Sequence, residues 1–327
     1  MLTLPPVQNQ KELKVFNDIG QITAHNPVVT IGIFDGVHMG HIEILRRIKK
    51  LAQAYEGESV VITLWPHPRF VLQPDNKELR LLTSLEEKIE LIGKQGIDKL
   101  LILPFTKDLS NIPYDLFIKD YIVGRIGARH VVVGFNHHFG KDRKGTFESL
   151  QKSAKKYNIR AERLDPVIQD EIRISSSGIR HMIEEGRITA ANKALGYPYF
   201  LNGTVMQGKK LGRTLGFPTA NLEPLEPLKL VPRTGVYAAR VKVEGKEYLG
   251  MLSIGYRPTI ETEKHERTIE VNIFDFDADI YDKPIQILFT DWLRNEIKFN
   301  SLQELRDQIA TDKMEVLKLF KTNTINK

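Results

Sequence analysis

The chain contains no cysteine in its 327 residues. That absence excludes disulfides, zinc–thiolate sites, iron–sulfur clusters and a thiol nucleophile. Long apolar runs are missing too: residues 60–64, 100–103 and 131–133 fall far short of the roughly 18 residues a membrane helix needs. Residues 1–14 lack a basic start followed by an apolar stretch, so no export signal is expected and the cytoplasm is the expected location. Neither sign of charge dominates, since 47 basic against 41 acidic side chains leave +6. So small an excess suits nucleotide phosphates as well as RNA. A composition that is 41% hydrophobic and 27% charged belongs to a folded globular chain, not to a disordered or collagen-like one. At roughly 150 residues per domain, the length predicts two domains.

What is present changes character partway along. Residues 28–34, Ser59–Trp65, Lys99–Pro104 and 130–135 are short, β-branched and almost wholly apolar, as strands buried on both faces are. Helical patterns separate them. Ile42, Leu45, Ile48 and Ala52 share one side of a helix over 42–55, and Ser84 with Glu87 forms a capping box opening a helix over 85–95. Strand–helix alternation predicts a Rossmann-like parallel sheet with helices on both faces and ligands at the carboxyl ends of its strands. From residue 199 onward, strands follow one another without helices between them: 199–207, Gly235–Val243, 247–254, 267–274 and 284–289. Glu244-Gly245 makes a hairpin turn between two of these. This half predicts an antiparallel barrel or sandwich, ending in a helix over 302–309 that Ser301 and Glu304 cap. The boundary is placed at 186–197, giving domains 1–186 and 187–327.

Two runs carry chemistry. Gly32-Ile33-Phe34-Asp35-Gly36-Val37-His38-Met39-Gly40-His41 leaves a strand and enters a helix. Gly36 and Gly40 let backbone approach a ligand, and the helix start offers free N–H groups to phosphate. His38 and His41, three apart, share a face and can stabilise charge building on phosphorus; the bland alternative is a pair of capping or core histidines. A zinc helix is excluded, because His-Glu-x-x-His is absent. Later, Ile174-Ser175-Ser176-Ser177-Gly178-Ile179-Arg180 presents hydroxyls and then an arginine one turn on, either a plain helix cap with Ser177 at the cap position or a holder of β- and γ-phosphates.

The first run and the Ile-Ser-Ser-Ser-x-x-Arg run together resemble the nucleotidyltransferase module of the bacterial bifunctional riboflavin kinase/FAD synthetases. The resemblance implies adenylyl transfer, in which the phosphate of FMN attacks the α-phosphorus of ATP to give FAD and pyrophosphate. It implies that His38 and His41 stabilise the transferring group. Gly32, Phe34, Asp35, Gly36 and Gly40 would line the nucleotide site, Ser176, Ser177 and Arg180 would engage the triphosphate, and Asn136 would lie near the reacting phosphates. Asn136-His137-His138-Phe139-Gly140 departs from the acidic or Asn-Phe-x-Phe-Gly run usual in the family; His137 and His138 read either as exposed loop residues, the preferred reading, or as residues that alter flavin contact.

The second run, Gly208-Lys209-Lys210-Leu211-Gly212-Arg213-Thr214-Leu215-Gly216-Phe217-Pro218-Thr219-Ala220-Asn221, is no Walker A loop. It reads either as a hairpin with turn glycines or as a phosphate-covering loop that presents Thr219 and Asn221 as oxygen ligands to Mg²⁺. It resembles the riboflavin kinase signature of the same family, as do Gly235-Val236-Tyr237-Ala238, Ile254-Gly255-Tyr256-Arg257-Pro258-Thr259 and Glu270-Val271-Asn272-Ile273-Phe274-Asp275-Phe276. The resemblance implies that Gly212, Thr214, Gly216 and Pro218 contact nucleotide and that Glu270 is the carboxylate taking the proton of the ribityl 5′-hydroxyl. Asp275, Asp277 and Asp279 alternate like a calcium loop, but Ile280 stands where glycine is needed, so they read as turn carboxylates.

The expected function is therefore conversion of riboflavin to FMN and of FMN to FAD, with Mg²⁺-ATP serving both steps. The expected partners are riboflavin, FMN and ATP, with no nucleic acid or membrane; an oligomer is compatible but not indicated. Two other readings compete with this one. A different nucleotidyltransferase whose barrel merely binds substrate gives no reason for Pro218-Thr219-Ala220-Asn221. An RNA-binding protein would share H-x-G-H with tRNA synthetases, but the lysines are scattered and no Lys-Met-Ser-Lys-Ser loop exists.

Overall fold

The computed structural model describes residues 12–75, 78–208, 211–257 and 266–325. Lys209, Lys210, Pro258 and Thr259 of the signature runs lie outside the described residues. The chain divides into two compact units, Met1–Ser176 and Ser177–Lys327.

In the first unit, strands β1 (Lys14–Phe16), β2 (Val28–Gly32), β3 (Ser59–Trp65), β4 (Lys99–Pro104), β5 (His130–Gly134) and β6 (Arg160–Leu164) form one sheet in the order β1-β4-β3-β2-β5-β6. Every pairing in it is parallel. Val28, Val29, Val60, Val61, Leu100 and Leu101 are fully buried, the signature of strands covered on both faces. The unit's helices are α1 (Met39–Ala54), α2 (Pro68–Leu72), α3 (Leu85–Gly93), α4 (Lys107–Ser110), α5 (Tyr114–Leu116), which runs on into a π-helix (Phe117–Arg125), and α6 (Phe147–Tyr157). A small hairpin, β7 (Ile168–Gln169) with β8 (Ile172–Arg173), precedes α7 (Ser176–Glu184), whose first residue closes the unit. Ser84 and Glu87 make the expected reciprocal cap on α3.

Chain order reverses across β2: the chain moves from β2 outward to β3 and β4, then returns to lay β5 on the other side. Such a switch point opens a crevice at the carboxyl ends of β2 and β5. The loops that leave those ends carry the 32–41 run and Asn136.

The second unit holds α8 (Ile188–Leu195), β9 (Phe200–Met206), α9 (Leu211–Thr214), β10 (Ala220–Pro224), β11 (Gly235–Val243), β12 (Lys246–Arg257), β13 (Glu266–Ile273), β14 (Pro284–Arg294) and α10 (Leu302–Ile325). Its strands close a barrel, β10-β13-β12-β11-β14-β9, with β9 pairing back onto β10 and every neighbour antiparallel. The expectation of a barrel or sandwich thus resolves to a barrel. Glu244 and Gly245 both take positive φ, 48° and 78°, as a two-residue hairpin turn requires.

Helix α10 runs 24 residues, far beyond the expected 302–309. Past Ile309 the apolar spacing is broken by Thr311-Asp312-Lys313, which hid the continuation. In the fold Asp312 is buried and takes a bidentate hold of Arg294 on β14 (2.6 and 2.9 Å), while Val316 and Phe320 join Ala238, Met251 and Phe274 in a core cluster.

Candidate active sites

The 32–41 run forms a tight turn between β2 and α1. Phe34, Gly36 and Val37 all have positive φ (51°, 81° and 34°), and only the middle one is glycine. Two non-glycine residues in that region need outside support. Asp35 supplies it: buried, its carboxylate accepts from Leu82 N–H (3.0 Å), Thr83 N–H (3.1 Å) and the Thr83 hydroxyl (3.3 Å). The Gly36 N–H donates to Thr83 Oγ1 (3.1 Å), and the Ser176 hydroxyl donates to the Asp35 carbonyl (2.9 Å). Asp35 therefore shapes the 32–41 turn, with Thr83 and Ser176 as its braces.

His38 is the N-cap of α1, its Nδ1 accepting from the His41 backbone N–H at 3.4 Å. That role puts the neutral ring's proton on Nε2. The His38 and His41 rings stack with centroids 3.7 Å apart, and Phe34 meets His41 edge-on at 5.1 Å. His41 is half-buried, and its Nδ1 is buried without a hydrogen-bond partner. Burial, the His38 ring and the Lys88 ammonium hold His41 well below the usual imidazole value. Gly40 lies against the His38 ring, where an added Cβ would stand 3.2 Å from it, and Gly32 likewise faces the Phe34 ring. The result is a helix start carrying two stacked imidazoles, His41 held toward its neutral form, fitted to receive an anion and then share charge that grows on it.

At the end of β5, Phe135 and Asn136 form an exposed turn. Phe135 lies under the guanidinium groups of Arg163 and Arg173 (5.2 and 4.8 Å). His138 is exposed, as expected. His137 departs from that expectation: it is half-buried and stacks on Phe139 at 5.4 Å. The flat imidazole packs face to face on that ring. The serine run also differs in detail, since α7 begins at Ser176 and Ser177 lies inside its first turn, not at the cap. Ser177 is exposed and Arg180 half-buried on that helix.

The signals missed in the sequence are Thr83 and Lys88. Lys88 stands with Leu91 and Ile92 on the buried face of α3. A lysine at that helical spacing was the available signal.

In the barrel, α9 leads through Gly216 (φ 83°) to Phe217, whose N–H returns to the Gly212 carbonyl at 2.8 Å. Gly212 is packed against the Phe217 carbonyl and leaves no room for a side chain. Thr214 closes α9. The Pro218 carbonyl accepts from Asn272 Nδ2 at 2.7 Å, which fixes the turn into β10. Thr219 Oγ1 lies 3.3 Å from Glu270 Oε2, and Asn221 pairs across the sheet with Glu270 itself. On the other side of Glu270, Ser253 is its partner on β12. Strand pairing thus gathers Thr219, Asn221 and Glu270, which the sequence separates by some fifty positions. The Asn221 amide packs against the Cα of Gly208, in space a Cβ would occupy. Asp275 takes positive φ in the turn after β13, and Phe274 is core.

Among the described residues no group of three or more His, Cys, Asp or Glu could hold a metal ion. The Thr219 hydroxyl just before β10, the Asn221 amide and the Glu270 carboxylate are oxygen donors of the kind a hard cation takes. Among the described residues no helix is long and apolar enough to cross a membrane.

Comparison with known proteins matches the two units to two families in the same order. The FAD synthetase family matches residues 21–178 and the riboflavin kinase family residues 195–320. A bifunctional riboflavin kinase/FMN adenylyltransferase from Bacillus subtilis is 38% identical over 90% of this chain and 92% of its own length. The protein of the same name from Escherichia coli K12 is 32% identical over 95% and 98%. Among solved structures, one titled a macrolide-efflux protein from Streptococcus pneumoniae superposes with a TM-score of 0.85 at 32% identity, covering 92% of this chain and 97% of that one.

Proposed function

The chain belongs to the bifunctional riboflavin kinase/FMN adenylyltransferase family, and from that premise we infer that it makes FAD from riboflavin in two ATP-dependent steps. The observation that carries this reading is the presence in one chain of two separately built polar sites of different chemistry, each suited to phosphate. One is a paired-imidazole turn on a parallel sheet; the other is a Thr–Asn–Glu constellation on a closed barrel.

Phosphorylation belongs to the barrel. Glu270 accepts the proton of the riboflavin 5′-hydroxyl as that oxygen attacks the γ-phosphorus of ATP, leaving FMN and ADP. Gly212, Thr214, Gly216 and Pro218 shape the nucleotide loop, and Thr219 and Asn221 are the residues that would hold Mg²⁺. Bound there, Mg²⁺ would neutralise charge on the phosphates. Adenylylation belongs to the other unit. A phosphate oxygen of FMN attacks the α-phosphorus of ATP, and pyrophosphate leaves. His38 and His41 donate to the oxygens on which charge accumulates, and the 32–36 backbone lets the nucleotide approach closely. Ser176, Ser177 and Arg180 take the β- and γ-phosphates, and Asn136 faces the reacting groups. On this reading α7 belongs with the adenylylation domain, 1–186, and the kinase domain is 187–327. The enzyme works in the cytoplasm, where ATP is plentiful, on small-molecule partners alone.

Chromatography of products after incubating the pure chain with riboflavin, ATP and magnesium tests this. FMN followed by FAD is expected, with both lost on chelation by EDTA; an unchanged riboflavin peak overturns it.

A further inference from the structure

Lys88 is 1% exposed, directly behind the adenylylation turn. A buried ammonium is costly unless it is paired or used. Lys99, another buried lysine of this unit, has a carboxylate partner, with Glu58 at 2.6 Å. Lys88 is held more loosely. Its Nζ donates over 3.5 Å to Thr63 Oγ1 and lies 4.9 Å from the centroid of the Trp65 ring. Thr63 in turn donates to the Ile33 carbonyl at 3.1 Å, so a short relay links the ammonium to the backbone just before Phe34. The Asp35 carboxylate attracts it from the same turn. Its positive charge also reaches His41, the ring stacked on His38. Glu87, beside it on α3, is occupied with the cap of that helix. Lys88 thus reaches the start of the turn in two ways, through Thr63 to the Ile33 carbonyl and through the charge of Asp35.

Resting on the adenylyl-transfer reading above, we propose that Lys88 is a positioning residue for that reaction: its buried ammonium braces the 32–41 turn and sets the field in which the paired imidazoles meet the polyphosphate. Rings stacked 3.7 Å apart cannot both carry charge cheaply. A fixed positive charge behind His41 favours its neutral form, with an N–H to donate, until the substrate's own charge arrives. The lysine titrates low for its type, near pH 8, because burial opposes its charge more than Asp35 supports it.

The test uses Lys88→Met, which keeps the volume and removes the charge, in the full chain. Three quantities are read: the pH profile of kcat/KM for FAD formation, FMN formation by the same sample, and the titration of His41 by NMR of Cε1-labelled histidine. The His41 signal is assigned by its loss in His41→Gln. Expected are a shift of the acid limb of FAD formation to higher pH, a parallel upward move of the His41 midpoint, and unchanged FMN formation. An acid limb and a His41 midpoint that stay in place overturn the proposal. Should the variant not fold, the unsubstituted enzyme decides: FAD formation is expected to fall off above about pH 8 while FMN formation does not, and the absence of that limb overturns the proposal. A chain that forms FMN but no FAD at any pH would instead remove the adenylylation reading itself.

Discussion

On the proposed reading, the two stacked rings at the start of α1 and the one glutamate on β13 have separate tasks, and substitutions should separate them. Replacing both His38 and His41 with alanine is expected to lower FAD formation from supplied FMN by about a hundredfold or more, with riboflavin phosphorylation near normal. Glu270→Gln should do the reverse, lowering FMN formation by about a hundredfold and sparing adenylylation. Product chromatography with each starting flavin checks both. Buried ionisable groups also leave a mark on stability. His41 titrates below its ordinary 6.5, so as pH falls beneath that value the unfolded chain takes the proton first and the fold loses stability. Lys88 works in the same direction at the alkaline end. Depressed from 10.5 to about 8, it costs on the order of 3 kcal/mol at neutral pH, a cost relieved as pH rises from about 8 toward 10.5. Lys88→Met should therefore raise the urea midpoint at pH 7 while weakening adenylylation, the trade expected of a residue kept for function.

Among the elements, most of the layout was legible before any coordinates. Ser59–Trp65 and Lys99–Pro104 have the bounds their apolar runs predict, because a strand buried on both faces writes its limits in consecutive apolar residues, and Gly235–Val243 keeps its predicted bounds as well. The edge strands β1 and β6 went unread. Each has one neighbour and exposed positions, so Arg160-Ala161-Glu162-Arg163-Leu164 carries no apolar run to notice. The far half of α10 was hidden for a related reason: a buried aspartate looks like a helix end until its arginine is known. That pair gives a prediction at this scale. Asp312→Ala leaves Arg294 unpaired where α10 meets β14 and should cost about 3 kcal/mol in unfolding free energy, measured by chemical denaturation. FMN formation should weaken with it, since β14 closes the barrel beside β11 and β9.

For the molecule as a whole, two compact units with different architectures carry the two steps. If FMN leaves the barrel as a free molecule, the steps need not occur on one chain. Mixing the His38→Ala/His41→Ala chain with the Glu270→Gln chain is then expected to restore conversion of riboflavin to FAD that neither achieves alone. Failure of the mixture, with each half-reaction intact, would mean that FMN is passed on without release.

The sequence by itself determined the two domains, the parallel and antiparallel halves, and the runs at 32–41 and 208–221, because these rest on local periodicity and on residues adjacent in the chain. Only the tertiary structure decided what stands behind those runs. The Asp35–Thr83 brace spans 48 positions and the Thr219–Glu270 contact 51. The buried Lys88 ammonium acquires meaning only once α3 packs beneath the turn. Contacts so far apart in the chain leave no periodic trace; they exist because parallel strands align their carboxyl ends and a closed barrel sets β10 beside β13.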